Sequence, residues 1–447
     1  MKYIIILFSI ILIVFQQQSA YGIKIPISNE FAKSGNGNVI VDDHKSIINV
    51  GVGNGINQND LYKIPPHHQD DIKDSTKKGN FQFNHNQNNI NNNNNNKNQQ
   101  SPQPLTNSRK LKFSNDGKFK IAQFTDIHFG EGEDKSWGVK QDINSTQVMN
   151  TILDSEQDVD LILFTGDLIT GNNIIDNASI YWIEVISVAK YRGIPWAITF
   201  GNHDDLASGQ GGSRVDLLSF DIDLGSFSKF GPRNVSGVSN YYLEIFDQNG
   251  IDPLSLLWIF DSGDGSCNTK KNKISNQKSF EKCNTYITKN QVDWYKDTLA
   301  QYNNENKNSI KWSGSFFHIP LQEYMTVWNN QTCYGWNNDS IACQPENHGL
   351  FDQFKLDPTL KLVSVGHNHG NDFCGNLDGI DLCFGRHTGY GGYGTWERGA
   401  RIFELNYDPN QSTVDYKTWL RFETGEKVEN QIKHDPNINN QQSICTN

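Results

Sequence analysis

Five short fragments of the 447-residue chain carry side chains that hold cations or move protons: Asp126-Ile127-His128, Gly166-Asp167, Gly201-Asn202-His203-Asp204, His318 and Gly366-His367-Asn368-His369. Carboxylate, imidazole and amide oxygen are donors for Mn, Fe or Zn, and the absence of Cys from the set argues against a structural zinc. Seven candidate ligands, Asp126, His128, Asp167, Asn202, His318, His367 and His369, are too many for one catalytic ion with open positions. They suit two ions sharing a bridging carboxylate. Such a pair, roughly 3.5–4 Å apart, clamps the attacking and leaving oxygens of an in-line displacement at phosphorus, so the expected chemistry is phosphoester hydrolysis. Each fragment alone has a plainer reading. Asp-x-His makes a turn and cap, Gly-Asp and Gly-Asn need only a positive φ, and His318 before Pro320 reads as a core histidine. Five together, all of ligand type and each after an apolar run, outweigh those readings.

The apolar runs are the elements that must position the fragments. Segments 118–125, 159–165 and 194–200 read as buried strands, with helices over 145–157 and 177–191 between them. That alternation is the α/β signature of a largely parallel sheet. The second half is richer in strands, at 241–246, 256–261, 312–317, 361–365, 380–384 and 400–405, with one helix over 291–302. The expected fold class is α/β, with two packed sheets and helices outside. Ligands of open α/β sheets bind at the carboxyl ends of strands, where all five fragments fall.

The rest of the chain sets the context. Residues 1–22 read as a signal peptide: Lys2, an apolar run over 4–15, then small residues at Ala20 and Gly22. No later stretch approaches 18 apolar residues, so no transmembrane segment follows, and a secreted or endolysosomal lumenal protein is expected. Segment 23–111 is read as disordered and low in complexity; its residues 84–100 include 11 Asn in 17 positions, which cannot offset their ordering entropy. The folded domain is expected over 112–425, ordered from about Lys118, with a polar tail over 426–447. Disulfides are expected within the pairs Cys267/Cys283, Cys333/Cys343 and Cys374/Cys383, leaving Cys445 over; Asp378-Gly379 is a hairpin signal inside the last pair. Six Asn-x-Ser/Thr sequons, at Asn144, Asn177, Asn234, Asn330, Asn338 and Asn410, suit a secreted glycoprotein. A net charge of -11 speaks against a nucleic-acid surface, while small phosphoesters stay open as substrates because metal ions supply positive charge locally. The stretch 385–394 is glycine-rich: Arg386 or His387 could contact phosphate there, although a flexible turn with packing aromatics is the favoured reading. Trp182, Trp196, Trp258, Trp294 and Trp312 read as core.

The five fragments in this order resemble the full signature of the calcineurin-like metallophosphoesterases, over about 118–405. The stretches 257–264, 317–320 and 371–375 are similar to the branch related to purple acid phosphatases, often labelled "probable inactive". The resemblance implies a four-layer fold with a dinuclear centre at the strand ends. By position it implies Asp126, His128 and His369 on one metal, Asn202, His318 and His367 on the other, and Asp167 bridging. His203 would be the catalytic acid and transition-state stabiliser, Asp204 would orient it, and a hydroxide shared between the metals would attack phosphorus. One position departs from the pattern. Purple acid phosphatases place a tyrosinate three residues after the bridging Asp, where this chain has Thr170, so no charge-transfer colour is expected and trivalent iron is less favoured. His128 would complete the first metal's shell. The expected function is an active, colourless phosphomonoesterase. A phosphodiesterase on nucleotides or lipid head groups is the runner-up. A non-catalytic binding protein on the same fold is the alternative of another class, and the complete ligand set and His203 argue against it.

Overall fold

A computed structural model describes residues 110–174, 178–204, 213–263, 286–306, 309–437 and 441–445, and the backbone of 266–271 and 278–282. The expected signal peptide, the Asn-rich segment and the side chains of Cys267 and Cys283 lie outside the described residues.

A short β1 (Leu111–Lys112) precedes the alternating run β2 (Lys118–Phe124), α1 (Ser136–Ser155), β3 (Leu161–Thr165), α2 (Ala178–Arg192) and β4 (Trp196–Thr199). Strands β2, β3 and β4 pair in parallel, and every residue of β3 is buried, as a strand covered on both faces requires. There follow α3 (Arg214–Asp223), β5 (Tyr241–Phe246), β6 (Pro253–Ile259), β7 (Ser266–Lys271), β8 (Lys278–Lys282), α4 (Lys289–Asn306), β9 (Trp312–Phe316), α5 (Glu323–Asn330) and β10 (Cys333–Tyr334). The chain continues through α6 (Leu350–Leu356), β11 (Leu360–Val365), β12 (Cys374–Leu377), β13 (Ile380–Phe384), β14 (Gly399–Asp408), β15 (Thr413–Phe422), β16 (Lys427–Val428) and β17 (Lys433–His434).

Two mixed sheets result, in the orders β16-β15-β14-β2-β3-β4 and β1-β5-β6-β9-β11-β13-β12-β10-β17; β7 and β8 pair separately. One apolar core lies between the sheets, drawing Ile121, Leu163 and Phe403 from one and Leu257, Trp312 and Leu362 from the other. A second packs α1, α2 and α3 on the outer face of the six-stranded sheet, and a third packs α4, α5 and α6 on the nine-stranded sheet. The layering is helix, sheet, sheet, helix. Trp182, Trp196, Trp258 and Trp312 are buried core residues, and Trp294 packs against the third core.

Several expectations change. The first described strand, β1, lies ahead of the expected start at about Lys118 and pairs with β5. The helix expected over 145–157 begins at Ser136, about two turns earlier; Trp137, Val139 and Ile143 in those turns are exposed, so no buried face announced them. Cys374 and Cys383 are bonded across β12 and β13 as expected, but Cys343 is bonded to Cys445, 102 residues away. Cys333 is a buried free thiol: β10 holds it under α5, with Sγ 3.7 Å from the Val327 carbonyl. Within the 426–447 segment, β16 pairs with β15 and β17 with β10.

Candidate metal centre

Each candidate fragment begins within three residues of a strand's carboxyl end. β2 leads to Asp126 and His128, β3 to Asp167, β4 to Asn202 and His203, β9 to His318, and β11 to His367 and His369. Both sheets contribute, so the site sits where their edges meet. The turns are knit to one another: the amides of Ile127 and His128 both donate to the Asp167 carbonyl, at 2.8 and 3.0 Å. Asp126, His128, Asp167 and His367 adopt φ of 55°, 56°, 51° and 77°. Left-handed backbone at a non-glycine residue costs of order 1–3 kcal/mol and persists where its surroundings over-determine it, commonly at functional sites.

The seven expected ligands converge. One donor atom each from Asp126, His128 and His369 lie within 4.8 Å of one another, and so do those of Asp167, His318 and His367. Asp167 touches both groups: its Oδ2 is 3.6 Å from His128 Nε2 and 3.1 Å from His318 Nε2. Asn202 Oδ1 joins the second group, 3.1 Å from His318 Nε2. In the first group, His369 Nε2 is 3.2 Å from His128 Nε2 and 3.6 Å from Asp126 Oδ1.

The donor set fits cations. His318 Nδ1 lies 2.9 Å from the Thr165 carbonyl and His369 Nδ1 lies 2.8 Å from the Tyr393 carbonyl. A carbonyl only accepts, so the proton of each neutral ring sits on Nδ1 and the Nε2 lone pair faces the cluster. His318 Nε2 then meets two further acceptors, Asp167 Oδ2 and Asn202 Oδ1, an arrangement that positive charge relieves. Without metal, protonation supplies it. Burial opposes the charge on His318, but Asp167 prevails and lifts its pKa to about 9; burial likewise works against Asp167, and His318 holds it well below the carboxylate range. Burial drives His128 down to about 3 and, helped by the charge of Asp167, raises Asp126 to about 7. Neutral imidazoles and converging carboxylates are what a metal ion binds, and the two Asp/His groups on this fold fit a dinuclear site.

His203 stands beside the groups, its ring 5.0 Å from that of His128 and its backbone amide 2.7 Å from Asp167 Oδ1. Its expected orienter does something else. Asp204 accepts from the backbone amides of Asp167, Leu168, Ile169 and Gly201, at 2.7–3.1 Å. It therefore locks the Asp167 turn, and the partner of the His203 ring is Asn172, with Oδ1 3.2 Å from Nδ1. Asn172 is exposed in a turn, and nothing in its spacing singles it out. Arg386 and His387 are both engaged by protein partners. Arg386 is buried against Asp372 at 2.5 Å, and His387 sits between Arg398 and the Gly391 carbonyl. The His387 ring instead packs 3.9 Å from that of His369, while Tyr393 stacks on His369 at 4.0 Å.

The sequence pattern of the family described as calcineurin-like phosphoesterase matches residues 119–371, more than half of the chain. The chain is 30% identical over 344 residues to Probable inactive purple acid phosphatase 28 of Arabidopsis thaliana, covering 70% of this chain and 82% of that one. It is 31% identical over 355 residues to Phosphatase DCR2 of Saccharomyces cerevisiae, covering 71% of this chain and 56% of that one. Among solved structures, a dimetal phosphatase from Danio rerio aligns with a TM-score of 0.46 and 13% identity, over 71% of this chain and 99% of that one.

Proposed function

The chain belongs to the calcineurin-like phosphoesterase family, and on that premise we propose that it is an active phosphomonoesterase dependent on two metal ions, working in the secretory or endolysosomal lumen. The observation that carries the reading is Asp167 Oδ2 lying within reach of both His128 and His318, which supports one carboxylate serving two ions. Asp126, His128 and His369 would hold the first ion; Asn202, His318 and His367 would hold the second. When bound, such ions supply an acidified water nucleophile and neutralise phosphoryl oxygens. The chain's own residues do the rest. Asp204 fixes the Asp167 turn through four backbone amides. Asn172 Oδ1 accepts from His203 Nδ1, so that in the protonated ring Nε2 carries the second proton, the one available to the phosphate and to the leaving oxygen. The metals are Mn, Fe or Zn by donor type. No helix among the described residues is long and apolar enough to cross a membrane, and the lumenal assignment draws on the disulfides.

A second reading, a binding protein without activity, is favoured by the name of the Arabidopsis relative, whereas the yeast relative is named a phosphatase. Protein loaded with Mn, Zn or Fe and assayed on p-nitrophenyl phosphate and its diester from pH 4 to 9 decides between them. Monoester turnover above diester turnover is expected. Two bound metals with no hydrolysis of either ester at any pH would sink the catalytic reading.

A further inference from the structure

The motif Gly366-His367-x-His369 leaves its middle position open, and here that position is Asn368. The residue is buried, and its side chain faces away from the cluster. Nδ2 donates to the Ser340 carbonyl at 2.8 Å, and Oδ1 accepts from the Ala342 amide at 3.2 Å. Residues 340–343 therefore run as an extended segment against the back of the turn that carries both histidines. Alternate residues of this segment face the other way. Ile341 donates its amide to Gln442 Oε1 at 2.8 Å and accepts from Gln442 Nε2 at 2.7 Å, so one side-chain amide pairs with its backbone as a strand would. Cys343 is bonded to Cys445. The tail is fixed from behind as well, because the Gln442 backbone exchanges two hydrogen bonds with the Asn329 side chain at the end of α5.

We propose that the C-terminal segment 441–445 is a positioning strap for the metal-holding turn: it presses residues 340–343 onto Asn368 and so fixes His367 and His369. This rests on the reading of those histidines as ligands. The turn needs such support, since His367 is held at φ 77° with its amide on the Asp126 carboxylate, a conformation that a free chain leaves. Among the described residues the segment makes no hydrogen bond to a candidate ligand, and its effect on His367 and His369 passes through residues 340–343 and Asn368. Groups that orient metal ligands from outside typically change metal affinity about 10–100-fold when removed.

The test titrates full-length, metal-free protein with Co²⁺, recording stoichiometry, affinity and the visible ligand-field spectrum, for wild type, Gln442→Ala and the pair Cys343→Ser/Cys445→Ser. Gln442→Ala removes the side-chain anchor and leaves the disulfide, so it keeps the test open should the double variant fail to fold. Two ions in the wild type, with affinity about tenfold or more weaker and an altered spectrum per ion in Gln442→Ala, are expected. The altered spectrum separates ligand geometry from a general loss of stability. Wild-type affinity and spectrum in Gln442→Ala would overturn the strap while leaving the proposed function standing. A wild-type protein that takes up no Co²⁺ would overturn both.

Discussion

Replacing Gly201 by alanine tests whether the Asp167 carboxylate has to be where it is. Gly201 has no positive φ, so alanine meets no backbone penalty there; the problem is contact. A Cβ at 201 would lie 2.2 Å from Asp167 Oδ1 and 2.4 Å from the Asp167 amide nitrogen. Neither atom is the loose end of a side chain. Oδ1 accepts from the His203 amide and the Asp167 amide is held by Asp204, so relief to an ordinary contact demands about 1 Å of movement in the whole turn. Oδ2, now 3.6 and 3.1 Å from the two imidazole nitrogens, then leaves the common point between the groups. Overpacking of this kind destabilises by about 1–3 kcal/mol, which a protein of ordinary stability survives. Function is hit harder: metal affinity is expected to fall about 10–100-fold, and a 1 Å misplacement costs about 10²-fold in rate. Metal content after dialysis, metal affinity by titration, and kcat/KM on p-nitrophenyl phosphate at saturating metal measure the three effects. Gly201→Ala protein that keeps two ions at wild-type affinity and a rate within about twofold of wild type refutes the bridging assignment.

Three further outcomes are expected. His203→Ala should keep both metals and lose about 10²–10⁴-fold in kcat, with Asn172→Ala following it by a smaller loss; a rate equal to wild type removes His203 from the reaction. Asp142 on α1 accepts from the Gly130 amide, and burial, aided by Glu184 and Glu131, pushes its pKa up to about 8. A folded pKa above the unfolded one means that the native state keeps a proton the unfolded chain has released, so stability falls as pH rises from about 4 to about 8. Asp142→Asn, which can still accept from Gly130, should flatten that fall by about 2–3 kcal/mol after solvent relaxation; identical urea midpoints for the two proteins at pH 8 would contradict this. Protein reconstituted with ferric iron should show no tyrosinate charge-transfer band, and a visible band of that kind would mean that a tyrosine reaches the metal.

The parts of the structure that were legible in the sequence share a physical cause. β3 is wholly buried and wholly apolar up to Thr165, and the ligand-type residues after such runs stand out because Asp and His seldom occur in that setting without purpose. The layering followed from the alternation of strand and helix. What escaped has no periodicity to report. The first turns of α1 bury no continuous face, and Gln442 acts through one side-chain amide on another segment's backbone. Cys343 finds its partner 102 residues away, although Cys333 is nearer in sequence. Asp204 shows a different limit: resemblance identifies the residue, while the atoms it bonds depend on where four backbone amides point. The glycine-rich stretch was visible as composition, yet its reason is steric, since a Cβ on Gly392 would lie 2.4 Å from His369 Cε1.

Thr170 bears on whether the site can act on a phosphoester. In the purple acid phosphatase pattern its position carries an anionic oxygen ligand; here the hydroxyl is buried and lies 3.2 Å from His128 Nδ1. It is therefore on the far side of the imidazole from the cluster, where Nε2 faces His369 and Asp167. A hydroxyl in that place accepts the Nδ1 proton of neutral His128 and leaves the Nε2 lone pair for a cation, which is how an outer partner sets a histidine ligand. On the proposed ligand assignment, His128 supported by Thr170 would substitute a neutral nitrogen donor for a phenolate. With Asp126 and a shared Asp167 as the proposed anionic donors, the first group would carry one negative charge fewer than a tyrosinate site. That would shift its preference from trivalent toward divalent ions without removing a ligand, so on this assignment the absence of the tyrosine does not by itself entail the loss of catalysis.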